Sequence, residues 1–170
     1  MREIKSLQEE VKDAIDEGRE LLCIDEAIFN PKAGMRRHWS PQGQPMKWES
    51  RWSNHAPYYS ACAATSITKG MVHWEIYKSM GCTGETTVAF LKRLKQHYPG
   101  PHDKIAILAD NNGIHGMDMV WDYCDKVDIK WILNVKYRPD FNGIEGVWGW
   151  AKQVYRKRLD WYRANGIIWK

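Results

Sequence analysis

The sequence predicts an α/β domain with a mixed five-stranded sheet flanked by helices, and the spacing of its apolar residues is the main reason. Short apolar runs typical of buried strands alternate with segments in which apolar residues recur every three or four positions, as on one helix face. Two strand-like runs joined at Lys69-Gly70 precede these alternating units. A hairpin followed by strand–helix units indicates a sheet with both antiparallel and parallel pairs.

The length of 170 residues fits one domain. We expect an N-terminal helix within residues 1–20, a core over residues 21–158, and a C-terminal tail over residues 159–170. The expected elements are, in chain order, a helix over 2–17 that stops at Gly18, a strand over 21–26, a long loop over 30–57 with short strands around 36–39 and 45–48, hairpin strands over 58–68 and 71–77, a helix opened by Thr83 with Val88, Leu91 and Leu94 on its apolar face, a strand over 105–110, a loop or short helix over 117–124, a strand over 129–133, a loop over 134–142 and a last helix over 144–158.

Composition limits the classes of protein that fit. No apolar stretch reaches the roughly 18 residues of a membrane-spanning helix, and the charged N-terminus has no apolar signal region. The net charge of +4 permits a nucleic-acid partner without requiring one. The four cysteines have no metal-binding spacing, so we expect reduced and mostly buried thiols. Most of the ten tryptophans are expected in the core or in a packing interface.

Three carboxylates occupy positions from which they could share a metal ion. Asp25 follows the first expected strand, Asp110 follows the strand over 105–110, and Glu145 lies in the first turn of the last helix. Each also has an ordinary interpretation: a polar strand end for Asp25, turn chemistry for Asp110, and a capping box with Asn142 for Glu145. Glu26 should point to the opposite side from Asp25, because side chains alternate along a strand.

Phosphodiester cleavage requires little protein chemistry beyond positioned metal ions. Two-metal sites place divalent ions roughly 3.5–4 Å apart, where they activate the attacking oxygen and stabilise the leaving one. Magnesium takes oxygen ligands and keeps open water positions, so two or three carboxylates are sufficient.

The local sequences around these acids resemble a known family. Cys23-Ile24-Asp25-Glu26 is similar to the first motif of mariner-superfamily transposases, and the segment from Trp39 to Gly43 resembles the one that follows it. The second motif resembles residues 108–115, Leu-Ala-Asp-Asn-Asn-Gly-Ile-His, and the third resembles residues 137–145, Tyr-Arg-Pro-Asp-Phe-Asn-Gly-Ile-Glu. Residues 111–144, 34 in all, separate Asp110 from Glu145, which is typical of the branch whose third acid is Glu. The third motif is the most specific, and the resemblance covers roughly residues 20–158.

The resemblance implies a ribonuclease-H-like fold, two Mg²⁺ or Mn²⁺ ions, and cleavage of DNA followed by strand transfer. It implies that Asp25, Asp110 and Glu145 are both the catalytic residues and the metal ligands. Three further side chains are candidates for supporting these ligands: Glu26, Asn111 and His115. Working complexes in this family bring two DNA ends together, so the resemblance also implies a homodimer or a partner protein. It places the protein in the nucleus of a eukaryote, or in the cytoplasm or nucleoid of a bacterium.

The basic residues of the last third of the chain are candidates for contacts with DNA phosphates, although a solvated helix face is the competing interpretation. The candidates are Lys136, Arg138, Lys152, Arg156 and Arg158, together with Arg36 and Arg37 in the long loop. For these two loop arginines, simple solvation is about equally plausible.

Two departures from the family pattern stand out. Gly143 occupies a place where the family usually has proline, which would preset the first helical turn, so we expect Glu145 to be placed more loosely. About 20 residues precede the first motif, too few for a helix-turn-helix domain that reads DNA ends. We therefore expect either a fragment or a stand-alone protein that takes its DNA specificity from a partner.

Two alternatives remain open at this point. The chain could be a domesticated module that scaffolds a nucleic-acid-processing complex without cutting DNA. It could also be another ribonuclease-H-like nuclease, acting on branched DNA or an RNA–DNA hybrid. That second alternative shares the acids but does not account for the Pro-Asp-x-Asn-x-Ile-Glu segment.

Overall fold

The computed structural model describes residues 2–30, 41–44, 57–99 and 102–165. The short strands expected around residues 36–39 and 45–48 lie outside these ranges. The described elements are α1 (Arg2–Asp16), β1 (Glu20–Phe29), β2 (Tyr59–Ser66), β3 (Gly70–Lys78), α2 (Gly84–Lys95), β4 (Ile105–Ala109), α3 (Asp118–Lys126), β5 (Ile129–Leu133) and α4 (Glu145–Ala164), with a 3₁₀ turn at Pro139–Phe141 before α4.

The five strands form one sheet in the order β3-β2-β1-β4-β5. β1 pairs antiparallel with β2, which pairs antiparallel with β3, whereas β1, β4 and β5 run parallel. The predicted mixed five-stranded sheet is therefore confirmed. It is hairpin-derived at one edge and built from strand–helix crossovers at the other.

Alternation along β1 divides the interior into two cores. Leu22 and Ile24 join a cluster with residues of α2 and α3, including Leu91 and Val120. The intervening Cys23 and the later Ala27 join a second cluster, which contains Leu7 and Ala14 of α1, Ile144 directly before α4, and Trp148 of α4. Helices α2 and α3 thus cover one face of the sheet, while α1 and α4 cover the other.

Local sequence sets several element ends. Gly18 has a φ of +72°, and the backbone amides of Gly18 and Arg19 donate to carbonyls of the last turn of α1, which closes that helix where predicted. Thr83 and Thr86 form a reciprocal capping box at the start of α2. The tightly packed Phe90 was not among the expected core residues of this helix.

Three expectations about extent and burial were incomplete. β1 continues to Phe29, so Asp25 lies within the strand and not at its end. α4 continues to Ala164, beyond its expected end at Arg158. Among the described tryptophans, Trp131 and Trp148 are buried. Three others are largely exposed, namely Trp74, Trp150 and Trp161. No helix in the described part of the chain is long and apolar enough to cross a bilayer.

Arg19 ties the start of β1 to the far side of the sheet. Its guanidinium donates to Glu17 and Asp128 side chains and to the carbonyls of Ile105 and Asp128. Only 11% of this side chain is exposed. Because the planar group satisfies several acceptors at once, a lysine ammonium cannot reproduce the arrangement.

We expect Arg19→Lys to lower the free energy of unfolding by about 1–2 kcal/mol, since acceptors around a mostly buried charge lose their donors. Urea denaturation at neutral pH measures this change. Lys12→Ala, which removes an exposed pair with Asp16, is the control and should change stability by less than about 0.5 kcal/mol. Equal losses in the two variants would show that Arg19 has no special structural role.

Candidate active site

The three predicted acids lie close enough to one another to interact electrostatically. The parallel register pairs Cys23 of β1 with Leu108 of β4, and both residues belong to the core cluster under α1 and α4. Two residues further along, alternation places Asp25 on that face of β1, and Asp110 directly follows the end of β4. Because β4 ends at Ala109, these two carboxylates lie where the paired strands open to solvent.

The start of α4 brings Glu145 to this face. Ile144, fully buried, packs into the core cluster that also contains Cys23. The Asn142 side-chain amide donates to the Ile24 carbonyl at 3.1 Å, which ties the chain before α4 to β1. These contacts fix the residues directly before the helix, so the exposed Glu145 emerges beside the middle of β1.

Gly143 has a structural use that proline could not serve. Burial raises the pKa of the Cys23 thiol, while hydrogen bonds from the backbone amides of Gly143 and Ile144 oppose the rise. Proline has no N–H to donate to this thiol. The expectation that glycine loosens the placement of Glu145 therefore overlooked an anchoring contact, since the same amide ties the first turn of α4 to β1.

The capping box expected between Asn142 and Glu145 does not form. The Asn142 amide is directed to β1, its Oδ1 atom is buried without a hydrogen-bond partner, and Glu145 donates its own backbone N–H to the Asn142 carbonyl. Among the described residues, nothing donates a hydrogen bond to the Glu145 carboxylate. This carboxylate is thus available to an external ligand.

Negative charge accumulates at this point. Burial raises the pKa of Asp25 to about 6, and repulsion from the carboxylates of Glu26, Asp110 and Glu145 contributes to the rise. Mutual repulsion of this kind shows that the four groups share one electrostatic environment. A cation placed among them would relieve this repulsion.

The buried His115 forms hydrogen bonds with two of these carboxylates, Asp110 and Glu26. Its Nδ1 lies 2.7 Å from Asp110 Oδ1 and its Nε2 lies 3.1 Å from Glu26 Oε1, and its side chain is fully buried. Burial alone would lower the pKa of His115, but its hydrogen bonds to Asp110 and Glu26 outweigh this effect and raise the pKa to about 10. The ring is therefore an imidazolium at neutral pH, bonded on both sides.

The contact with His115 makes the two carboxylate oxygens of Asp110 inequivalent. Oδ1 also accepts from the Asn112 backbone amide, and the hydrogen bond to His115 lowers the pKa of this carboxyl. Among the described residues, no donor reaches Oδ2. The arrangement holds Asp110 ionised with one oxygen fixed and the other free. Glu26, as predicted from alternation, faces the opposite core from Asp25 and serves His115.

The donor set suits a hard cation, although the described side chains alone do not complete a site. The available atoms are carboxylate oxygens and the unpaired amide oxygen of Asn142, which are the ligands that Mg²⁺ prefers. Among the described residues, no group of three or more His, Cys, Asp or Glu side chains stands in position to hold a metal ion. Water and substrate oxygens would have to contribute the remaining ligands.

The loops that follow β4 and β5 border the site. A cleft is lined by Asp110, Glu145, Asn111 and the segment from Asn134 to Pro139. Asn111, predicted only as a supporting residue, donates its side-chain amide to the Asn134 carbonyl and so joins the two loops. Sequence reasoning missed Asn134, which is buried and donates to the Arg138 carbonyl at 2.8 Å. A polar residue directly after an apolar strand was the available signal.

The predicted DNA-contacting residues occupy several environments. Lys136 is exposed on the rim of the cleft. Arg138 pairs with Asp140 at 2.7 Å and lies over the Phe141 ring. On α4, Lys152 is partly buried, Arg156 is exposed, and Arg158 lies over the rings of Trp161 and Tyr162. Arg36 and Arg37 lie outside the described residues, so the structure places five of the seven candidates and brings Lys136 and Arg138 to the cleft.

We expect His115→Gln to be less stable than the parent by about 3 kcal/mol at neutral pH, because the variant leaves the mostly buried Glu26 and the partly exposed Asp110 without their cation. The pKa of His115 lies above its ordinary value of 6.5, so its contribution is complete below that value and is lost as pH rises towards 10. Urea denaturation in metal-free buffer should therefore show that the difference in unfolding free energy between the parent and His115→Gln narrows from about pH 7 to about pH 10.

His102→Gln, which changes an exposed histidine before β4, is the matched control and should follow the parent at every pH. A gap between parent and His115→Gln that stays constant across this pH range would contradict the assignment of His115 as a buried cation.

Solved structures with the same fold support the architecture. The catalytic domain of Mos1 transposase, solved with raltegravir and Mg, aligns at a TM-score of 0.64 with 13% identity, over 96% of this chain and 79% of that one. The Mos1 mariner paired-end complex with Mn aligns at 0.60 with 17% identity, over 96% of this chain and 55% of that one. A chain from a simian T-cell lymphotropic virus intasome aligns at a TM-score of 0.57 with 14% sequence identity. That alignment covers 89% of this chain and 44% of the other.

These identities are low, so the likeness concerns the fold, which is ribonuclease-H-like. The chain spans about half the length of the transposase in the paired-end complex. A comparison with curated protein sequences found no match. The sequence model of the DDE superfamily endonucleases, by contrast, matches residues 20–164. Since that match takes in every strand and the three acids, the chain belongs to the DDE superfamily of endonucleases.

Proposed function

We propose that this domain cleaves DNA phosphodiesters and transfers the resulting strand ends, using two divalent metal ions held by Asp25, Asp110 and Glu145. The observation that carries the proposal is the electrostatic interaction of Asp25 on β1 with Asp110, which follows β4, and with Glu145, which begins α4. Burial raises the pKa of Asp25, and repulsion from the neighbouring carboxylates adds to the rise. Such repulsion is the condition that a bound cation reverses.

Mg²⁺ or Mn²⁺, when bound, would supply activation of an attacking oxygen and stabilisation of the leaving one. The protein's own residues would perform the remaining tasks. Asp110 is kept ionised and oriented by His115, and Glu26 fixes the other side of that ring. Glu145 follows the buried Ile144 at the start of α4, and among the described residues nothing donates a hydrogen bond to its carboxylate, so that carboxylate can turn towards a ligand.

DNA is the proposed partner. Lys136 at the cleft rim would contact phosphates near the acids, and Arg156 and Arg158 on α4 would contact the backbone further away. The Mos1 relatives were solved as paired-end complexes, which supports a working unit of two copies, or of this chain with a partner that reads DNA ends. The protein would act in the nucleus of a eukaryote or in the nucleoid of a bacterium.

The alternative is a scaffold that binds a complex without cutting DNA. One observation favours it: α4 exposes an apolar stripe made of Trp150, Val154 and Trp161, and such stripes occur at protein interfaces. The retention of all three acids favours catalysis, because a scaffold gains no stability from carboxylates that repel one another.

We expect Asp110→Asn to abolish metal-dependent DNA nicking and to lose or halve Mn²⁺ binding, because the variant removes one charged oxygen ligand from the site. Calorimetric titration with Mn²⁺, repeated with DNA present, measures binding, and conversion of supercoiled plasmid to nicked circles measures activity. Asp122→Asn removes an exposed carboxylate of α3 on the other face of the sheet and should behave as the parent.

Thermal unfolding checks that both variants are folded. Equal nicking by Asp110→Asn and the parent would refute the catalytic assignment. A parent that neither binds Mn²⁺ with DNA present nor nicks plasmid would leave the scaffold as the better proposal.

A further inference from the structure

Tyr137 lies in an unusual environment for a tyrosine. Its side chain is 97% exposed, more than that of any other large apolar residue among the described ranges. Its backbone φ is +60°, in the left-handed region that residues with a Cβ seldom adopt. The side chain gains no burial in the protein, and the backbone is strained, so folding stability does not explain this residue at this place.

The loop around Tyr137 is held in this conformation from below. The buried Asn134 side chain donates to the Arg138 carbonyl and accepts from the Val135 amide, so it braces the turn on both sides of Tyr137. The Arg138 amide also donates to the Val135 carbonyl. A strained backbone conformation persists only where the surrounding structure holds it in place. These hydrogen bonds hold the loop around Tyr137 in that conformation.

The same loop is fixed to the site. The Asn134 backbone amide donates to the carbonyl of Ala109, the residue before Asp110, and Asn111 donates to the Asn134 carbonyl. Tyr137 lines the cleft that contains Asp110 and Glu145 and follows the exposed Lys136. The ring is thus held outward at the rim of the site, next to a cation suited to a phosphate.

An exposed ring beside a phosphate-directed lysine suits one ligand chemistry. Aromatic side chains stack on unpaired nucleobases, and this stacking tolerates any base because every base has a π-face. Bases inside a duplex are already stacked on their neighbours, so only an unpaired base next to a bound phosphate can accept the ring.

We propose that Tyr137 positions the DNA substrate by stacking on an unpaired base beside the phosphate bound at Asp25, Asp110 and Glu145. This inference rests on the proposed function, because it requires DNA at that site. Tyr137 acts on the substrate's position and takes no part in bond making or breaking. The ring supplies the contact, and the hydroxyl is not required.

The test is fluorescence of 2-aminopurine, placed one base at a time along the single-stranded tail of a partly duplex oligonucleotide, with Ca²⁺ replacing Mg²⁺ as the oxygen-liganded ion. Stacking on tyrosine quenches the probe. The parent and Tyr137→Phe should quench it at one or two positions. Tyr137→Gly should abolish that quenching and weaken binding by about 5- to 100-fold, the loss of one base stack.

Glycine accepts a positive φ without strain, so Tyr137→Gly should unfold at close to the parent temperature while losing DNA contact. Ser79→Gly is the matched control, since Ser79 is an exposed residue with a φ of +51° outside the site. It should leave both quenching and affinity unchanged.

Quenching by Tyr137→Gly equal to that of the parent would overturn the inference, as would loss of quenching in Tyr137→Phe or a parent that quenches at no position. Failure of the proposed function is recognised separately, because it would appear as a parent without metal-dependent nicking. A nicking parent whose Tyr137→Gly variant binds DNA normally would refute only the role of Tyr137.

Discussion

The alternation of side chains along β1 is the constraint on which the site depends. Neighbouring residues of a strand face opposite sides, and pairing with β2 on one edge and β4 on the other fixes which side each residue takes. Leu22 and Ile24 enter one core and Cys23 and Ala27 enter the other, so a slip of one residue would expose apolar groups on both faces. The energy of two cores therefore holds Asp25 towards α4 and Glu26 towards His115. Core packing, and not local strand propensity, therefore directs Asp25 and Glu26 to different partners.

The charge distribution follows from this division. On the α2 and α3 side, Glu26 finds a buried imidazolium, and that imidazolium also takes one oxygen of Asp110. On the other side, Asp25 has no comparable cation among the described residues, and burial together with neighbouring carboxylates raises its pKa. The internal cation therefore compensates only half of the cluster. The uncompensated half lies at the open end of β4, where a metal ion and a substrate phosphate could reach it.

Much of the architecture could be predicted from the sequence, because the spacing of apolar residues differs between strands and helices. The buried run Ile105–Ala109 and the capped start of α2 are local signals, and the structure confirms both. The acids were recognisable for the same reason, as carboxylates adjoining apolar strands. What the sequence could not supply were contacts between distant segments. The bond from Asn142 to the Ile24 carbonyl replaced the expected capping box, and the link from His115 to Glu26 joins residues far apart in the chain. The full length of β1 also depends on β2, which pairs with it beyond the point where β4 ends.

The segments that carry the acids are joined mainly by neutral amides. Asn142 ties the start of α4 to β1, Asn111 ties the end of β4 to the loop after β5, and Asn134 braces that loop. An arginine or lysine could make similar bonds to these carbonyls, but its charge would offset the carboxylates and weaken their attraction for a metal ion. Asparagine fixes the geometry without changing the charge. Among the described residues, the positive groups close to the acids are then the buried His115, together with Lys136 and Arg138 along the cleft, where Arg138 is paired with Asp140. The negative potential of the acids is therefore directed towards the cleft. The asparagine amides hold the segments rigidly together, His115 orients Asp110, and the exposed loop that carries Lys136 is left to contact the substrate.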